Sequence, residues 1–233
     1  YLGFNMQYSE LDQTKIDSPV TDEEGEFQSF ISYRYEFNDF AGDDATNGNL
    51  FSGLTQGEWY WRVAAGTFTN TIFNRLVRFQ GLFDPEPAGT GLASIFVGKK
   101  ITDRFMSLPV EAYVTTGYVR HFERGQQNDL NEYVLGFKAY FSNFPWSHIV
   151  KTRVGLAEGV SYVDKIPFYE REGIKKKNRS ASHMLNYLDW SWDFSIGDII
   201  GKPALKECFI GWSVHHRSGI FGGADVFGNV NGG

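Results

Sequence analysis

The sequence predicts an all-β protein, and more narrowly an antiparallel transmembrane β-barrel of roughly 10–12 strands. The chain is rich in aromatic residues (17%) and contains 26 Gly but only 7 Pro. Its mean hydropathy is −0.33, and no apolar run approaches the roughly 18 residues that a transmembrane helix needs. Many segments alternate between apolar and polar residues, as strands with two different faces do. A soluble sandwich or lipocalin-like barrel shares much of this signature, so that alternative stays open.

Strand-like segments recur along the whole chain, separated by polar or Gly-rich breaks. The predicted segments are 1–9, 28–40, 57–69, 91–101, 108–122, 132–142, 149–163, 182–196 and 205–218. Segment 70–83 fits a helical face about as well as a strand, and its assignment is left open. Because no domain boundary or internal repeat is visible, residues 1–233 are predicted to form a single outer-membrane barrel domain.

The alternation is clearest in the later segments, where it separates aromatic faces from charged ones. Trp190 and Trp192 share one face of 182–194, whereas Asp189 lies on the other. We expect the aromatic face, with Trp212 and Ile210 of the last segment, to point outward, since tryptophans suit a bilayer interface. We expect Arg153, Asp189 and Glu207 to point into the lumen of the barrel.

The last residues, 228–233, read Gly-Asn-Val-Asn-Gly-Gly, which is a turn composition without a final strand or an aromatic end. A membrane barrel must close to hide its strand edges. We therefore expect the last strand to be missing from this chain and the natural polypeptide to continue beyond Gly233.

Composition also excludes several functional classes. The net charge of −6 argues against nucleic acid as a partner. The single Cys208 excludes an internal disulfide and a multi-cysteine metal site. Zinc-type ligand spacing, phosphate-binding glycine loops and the G-x-S-x-G elbow are all lacking, so no metal or other cofactor is predicted.

One connecting segment, 164–181, carries a run of basic residues. The run consists of Lys175, Lys176, Lys177 and Arg179. A charge run is usually a solvated loop, but a basic loop beside anionic lipid A would bind its phosphates. The four side chains are candidates for lipid-phosphate binding.

Segment 205–218 ends in the most informative pair of residues. His216 and Ser218 lie two positions apart, so on a strand both side chains point to the same side. That side also carries Ile210, Trp212 and Val214, which places an imidazole and a hydroxyl at the edge of an apolar band. The pair is either a hydrolytic site that acts on an apolar substrate, or a local satisfaction of backbone groups at a strand end.

The stretch His216-Arg217-Ser218-Gly219 resembles the PagL-type lipid A 3-O-deacylases, outer-membrane barrels that cut an ester-linked acyl chain from lipid A. The resemblance is specific over residues 205–223 and elsewhere extends only to the pattern of strands. It implies a bacterial outer-membrane location and lipopolysaccharide as the substrate. It also implies that His216 is the general base and Ser218 the nucleophile.

The match departs from the family pattern at two places. Gly219 stands where the family has Asn, and the acidic residue expected near 230–232 is missing, so Asp225 is the nearest later carboxylate. We take Asp225 as the candidate third catalytic residue and the Gly219 amide as a candidate oxyanion donor. Two functions stay open: a lipid A deacylase or similar esterase, and a non-catalytic outer-membrane barrel that serves as a pore or as a scaffold for partner proteins.

Overall fold

The computed structural model describes residues 27–38, 58–69, 87–105, 108–177 and 181–218; of residues 27–38, 176 and 177 it describes the backbone alone. Eight long strands dominate the described part of the chain. They are β1 (Phe27–Asn38), β2 (Glu58–Thr69), β3 (Gly91–Thr102), β4 (Val110–Phe122), β5 (Leu130–Phe141), β6 (Thr152–Val163), β7 (Met184–Ser195) and β8 (Cys208–Ser218).

Each strand pairs antiparallel with the next one along the chain. Strands β2–β8 form a curled sheet, and β1 pairs with both β2 and β8, which closes the sheet into a barrel. The prediction of an all-β antiparallel barrel is confirmed at this level. Eight of the predicted segments correspond to the eight strands, whereas segments 1–9 and 70–83 lie outside the described residues.

The strands that the structure describes close into a ring of eight, which is fewer than the predicted 10–12. The register pairs Tyr35 of β1 with Cys208 of β8 and continues to Gln28 and His215. Both edges of β8 are therefore occupied, one by β7 and the other by β1. Among the described strands, β8 therefore has no open edge.

Side-chain alternation divides every described strand into an inward and an outward face. In β7 each second residue is buried, beginning at Leu185, and the buried set includes Asp189 and Asp193. The residues between them, such as Trp190 and Trp192, are half-buried and face outward. This agrees with the predicted faces, since side chains at i and i+2 share one side of a strand.

The outward face is apolar and exposed over most of the barrel. Its exposed large side chains on β2–β6 and β8 include Val63, Ile95, Val114, Tyr118, Tyr133, Leu135, Phe137, Leu156, Val160, Tyr162 and Ile210. The inward face is polar as well as aromatic, and it includes the predicted Arg153 and Asp189. Apolar residues thus cover the outside of this barrel while many charged groups lie within it.

Glu207 is the exception to the predicted inward set. It precedes β8, and about half of its side chain is exposed (49%). Its carboxylate accepts a hydrogen bond from Lys151 Nζ at 2.8 Å, at the rim of the barrel. Glu207 differs from the buried members of that set because β8 begins one residue later, at Cys208, but its carboxylate still pairs with the inward-facing Arg153 at 3.7 Å.

Two short helices lie in the connections beside β7. Helix α1 (Phe168–Lys177) lies between β6 and β7, and helix α2 (Ile196–Ile200) follows β7. Ser195 caps α2 by accepting a hydrogen bond from the Asp198 amide, and Gly201 ends it with a φ of 67°. A 3-10 turn (Pro203–Leu205) then leads into β8. In the described part of the chain, none of the helices has the length and apolar character required to cross a membrane.

Candidate functional site

The predicted pair lies on the outward face of β8, near the end of the strand. Val214, two residues before His216, packs against Trp190 and Trp212. On the other face of β8, His215 and Arg217 point into the barrel. His216 and Ser218 therefore continue the apolar outward stripe, as their period-two spacing predicts.

Both side chains are nonetheless buried. His216 is 6% and Ser218 is 2% exposed, whereas Ile210 on the same face is 44% exposed. Among the described residues the Ser218 hydroxyl has no hydrogen-bond partner, so the His216–Ser218 bond that would activate the serine is not formed. The reason is geometric, because Cβ atoms at i and i+2 of a strand lie roughly 6–7 Å apart. Activation would require both side chains to turn towards each other.

The register brings a polar residue of β7 to this pair. Asn186 pairs directly with Ser218, and Leu188 pairs with His216. Directly opposite residues on antiparallel strands have Cβ atoms about 4.5–5.5 Å apart, so the Asn186 amide is within reach of the serine. Asn186 is half-buried and interrupts the otherwise apolar face of β7. A single polar residue within this apolar face is the feature by which the sequence alone could have identified Asn186 as a site residue.

The remaining predicted site residues are only partly described. Asp225, Gly219 and Arg179 lie outside the described residues, as do the side chains of Lys176 and Lys177. Lys175 is exposed on α1, where its ammonium donates to Glu172 Oε1 at 2.7 Å. Because β6 and β8 run in the same direction, α1 follows β6 at the barrel end where β8 reaches Ser218. The structure thus brings Lys175 to the same end as the pair.

Inside the barrel, at the level of the pair, lies a buried polar network that was not predicted. Glu132 stands at its centre, with His121 Nε2 at 2.7 Å from Oε2 and His215 Nε2 at 2.9 Å from Oε1. Ser161 also donates to Glu132 Oε1, at 2.5 Å. All four residues are at most 1% exposed. The strand alternation indicates that His215 and Ser161 point inward. The local sequence does not indicate that both side chains bind the same carboxylate.

Arg217 connects this network to α1. Its Nε donates to Ser161 Oγ at 2.8 Å, and its Nη1 donates to Glu170 Oε2 at 2.5 Å. Glu123, just after β4, accepts the amide of Phe168 at the start of α1 at 3.0 Å. With Ile174 also buried, α1 is docked against the barrel end. These contacts bury the carboxylates of both Glu170 and Glu123.

Burial raises the pKa of Glu170 from 4.5 to about 7, although the nearby Arg217 guanidinium acts in the opposite direction. Burial likewise raises the pKa of Glu123. The folded protein therefore keeps a proton on Glu170 at pH values where the unfolded chain has lost it. The stability that this proton contributes is fully present below about pH 4.5 and is lost as pH rises through about 7.

We expect a Glu170→Gln variant to be less sensitive to pH than the wild type, because glutamine does not titrate. Urea unfolding of the refolded barrel at pH 4, 6 and 8 measures the free energy of unfolding of both proteins. Relative to the variant, the wild type should lose stability between pH 4 and pH 8. Parallel pH curves for the two proteins would contradict the titration of Glu170 in this range.

A second buried cluster fills the middle of the barrel. Asp189 accepts hydrogen bonds from Arg62, at 2.7 and 3.2 Å, and from the Lys138 ammonium. Tyr60, Tyr113 and Tyr140 contact one another edge to face beside it, and all three are buried. The described interior is close-packed at this level, which is unfavourable for a pore.

No group of three or more His, Cys, Asp or Glu residues that could hold a metal ion is found among the described residues. The two Nε2 atoms of the inner network both face Glu132. No family model matches the chain, and no curated protein or solved structure was found to be similar to it.

Proposed function

We propose that this protein is a barrel of the bacterial outer membrane that hydrolyses an acyl ester of lipid A or a similar acylated lipid. In this proposal Ser218 is the nucleophile and His216 the general base. The alternative of a pore is disfavoured by the close-packed cluster around Asp189 and Arg62. A scaffold for partner proteins has no specific contact in its favour.

Membrane insertion is supported by the distribution of apolar and charged residues. The outward face exposes large apolar side chains around the barrel, which is costly in water and favourable in lipid. The interior holds ion pairs such as Arg62–Asp189, as the lumen of a membrane barrel does. Strands of 11 to 13 residues are long enough to cross a bilayer when tilted.

The observation that carries the proposed activity is the position of Ser218. Its hydroxyl lies on the outward side of β8, two residues from an imidazole, and accepts or donates no hydrogen bond within the described part of the chain. A serine hydroxyl becomes an effective nucleophile when a neighbouring base accepts its proton, and histidine is suited because its pKa lies near neutrality. Asn186, opposite Ser218, offers an amide that would donate to the ester oxygen.

The substrate class follows from the surroundings of the pair. An acyl chain would lie against the apolar outward face, and the basic residues of α1 would bind phosphate groups at the same end of the barrel. Lys175 is the described member of this basic set. Asp225 as the third catalytic residue and Gly219 as an oxyanion donor stay predictions.

The test is ester release from purified lipid A in detergent, measured by mass spectrometry for the wild type and for Ser218→Ala and His216→Ala. Both variants should lose the activity. Ser147→Ala and His148→Ala, at the opposite end of the barrel, are matched controls and should keep it. Retention of activity in both site variants would make the pair structural. A wild type that releases no fatty acid from any acylated lipid would overturn the proposed function.

A further inference from the structure

The outer wall of the barrel carries an apolar groove that extends from the β3–β4 connection over strands β5, β6 and β7. Its volume is about 700 Å³, which lies within the range of small-molecule sites. Apolar side chains make up most of its lining, including Ile101, Phe105, Phe137, Leu156 and Val160. Two polar side chains of the outward face, Glu158 and Asn186, also line the groove. Lys138 lines it too, but its ammonium is buried inside the barrel, where it donates to Asp189.

Glu158 is unusual because of its place in the strand. It lies halfway along β6, and its neighbours across the sheet are Phe137 on β5 and Leu188 on β7. Among the outward-facing strand positions that the structure describes, the other charged residues, Lys99 and Arg120, lie nearer to strand ends. A charged group in the middle of an apolar belt is costly, so such residues usually mark a functional site.

The carboxylate of Glu158 is available to a ligand. The side chain is exposed, and it makes no hydrogen bond or ion pair with any other described residue. Asn186 lies close by, because Asn186 pairs with Val160, two residues after Glu158 on the same face. An apolar groove with two convergent polar groups has the usual anatomy of a binding site for a small molecule.

We propose that this groove binds an amphipathic amine, with its apolar part against the groove wall and its ammonium group at the Glu158 carboxylate. Charge complementarity selects the amine, since an anionic amphiphile would be repelled. A second copy of the chain is a poor occupant, because a twofold contact centred on this groove would bring two Glu158 carboxylates close together. The proposal goes beyond ester hydrolysis and does not depend on Ser218 or His216.

The experiment compares three probes that share one chain and differ in head group: dodecylammonium, dodecanol and dodecanoate. Isothermal titration in a nonionic detergent measures the affinity of the purified barrel for each. We expect the wild type to prefer dodecylammonium over dodecanoate by about fivefold or more. Glu158→Gln should abolish this preference, whereas Glu172→Gln, which removes a carboxylate from α1, should leave it intact.

A second variant tests the groove itself. Ala139 lines the groove, so Ala139→Trp should fill it and weaken dodecylammonium binding. Equal affinities of the three probes for the wild type would overturn the proposal, as would an unchanged preference in Glu158→Gln or unchanged binding in Ala139→Trp. Ser218→Ala should bind dodecylammonium as the wild type does, so failure of the hydrolase proposal can be distinguished from failure of this one.

Discussion

Replacing Asp189 by Asn should destabilise the barrel by about 3–5 kcal/mol, because it removes the carboxylate to which two buried cations donate hydrogen bonds. Arg62 and Lys138 share this one carboxylate, and all three side chains are almost fully buried. Asparagine has nearly the same shape, so the expected loss comes from the charge and not from a cavity. Urea unfolding of the barrel refolded in phospholipid vesicles measures it.

Two further variants make the interpretation specific. Glu172→Gln removes an exposed carboxylate that pairs with Lys175, and it should cost no more than about 0.5 kcal/mol. Adding Lys138→Met to Asp189→Asn removes one of the two buried cations that lost this carboxylate and should recover part of the loss. If Asp189→Asn unfolds at the same urea concentration as the wild type, the buried cluster does not contribute to stability as its contacts indicate.

Replacing Ile95 by Arg should cost about 2–4 kcal/mol if the outward face lies in lipid, since arginine near the bilayer midplane carries that penalty. Ile95 is 46% exposed near the middle of β3, and its neighbours across the sheet are Val63 and Tyr118. No acidic side chain stands opposite to offset the charge. Unfolding from vesicles provides the measurement, because the unfolded chain leaves the bilayer.

Ile149→Arg is the matched control for this substitution. Ile149 is 66% exposed in the β5–β6 connection, outside the strands, so its replacement should change the free energy of unfolding by less than about 1 kcal/mol. Equal and small effects of the two substitutions would indicate that water, and not lipid, surrounds the outward face. That result would exclude the membrane-inserted barrel on which the proposed lipid hydrolysis depends.

Local pattern was sufficient to predict the strands and their faces. Alternation is a property of one segment, since successive side chains of a strand point to opposite sides whatever the partner is. Arg153 and Asp189 could therefore be assigned to the interior, and Trp190 and Trp192 to the outside, from spacing alone. The half exposure of Glu207 was not predicted, because it depends on where β8 begins and on its pairs with Lys151 and Arg153, which are distant in sequence.

The closure of the barrel and the buried network around Glu132 could be recognised only from the tertiary structure. The number of strands depends on whether β1 meets β8, a pairing between the two ends of the chain that no local pattern encodes. Similarly, His121 and His215 meet on Glu132, from which they are 11 and 83 residues distant in sequence. Only the register of the intervening strands brings those side chains to one level of the barrel.

His216 and Ser218 of the candidate site show what the local sequence pattern determines and what the tertiary structure adds. The sequence by itself determined that His216 and Ser218 share a face with an apolar stripe, because they are two positions apart on a strand. The tertiary structure decided that both side chains are buried, that Asn186 stands opposite Ser218, and that the hydroxyl has no hydrogen-bond partner in the part of the chain that the structure describes. The physical reason is that the backbone of one strand determines to which side of the sheet each side chain points. Burial and hydrogen bonding depend instead on which other parts of the chain pack against that strand.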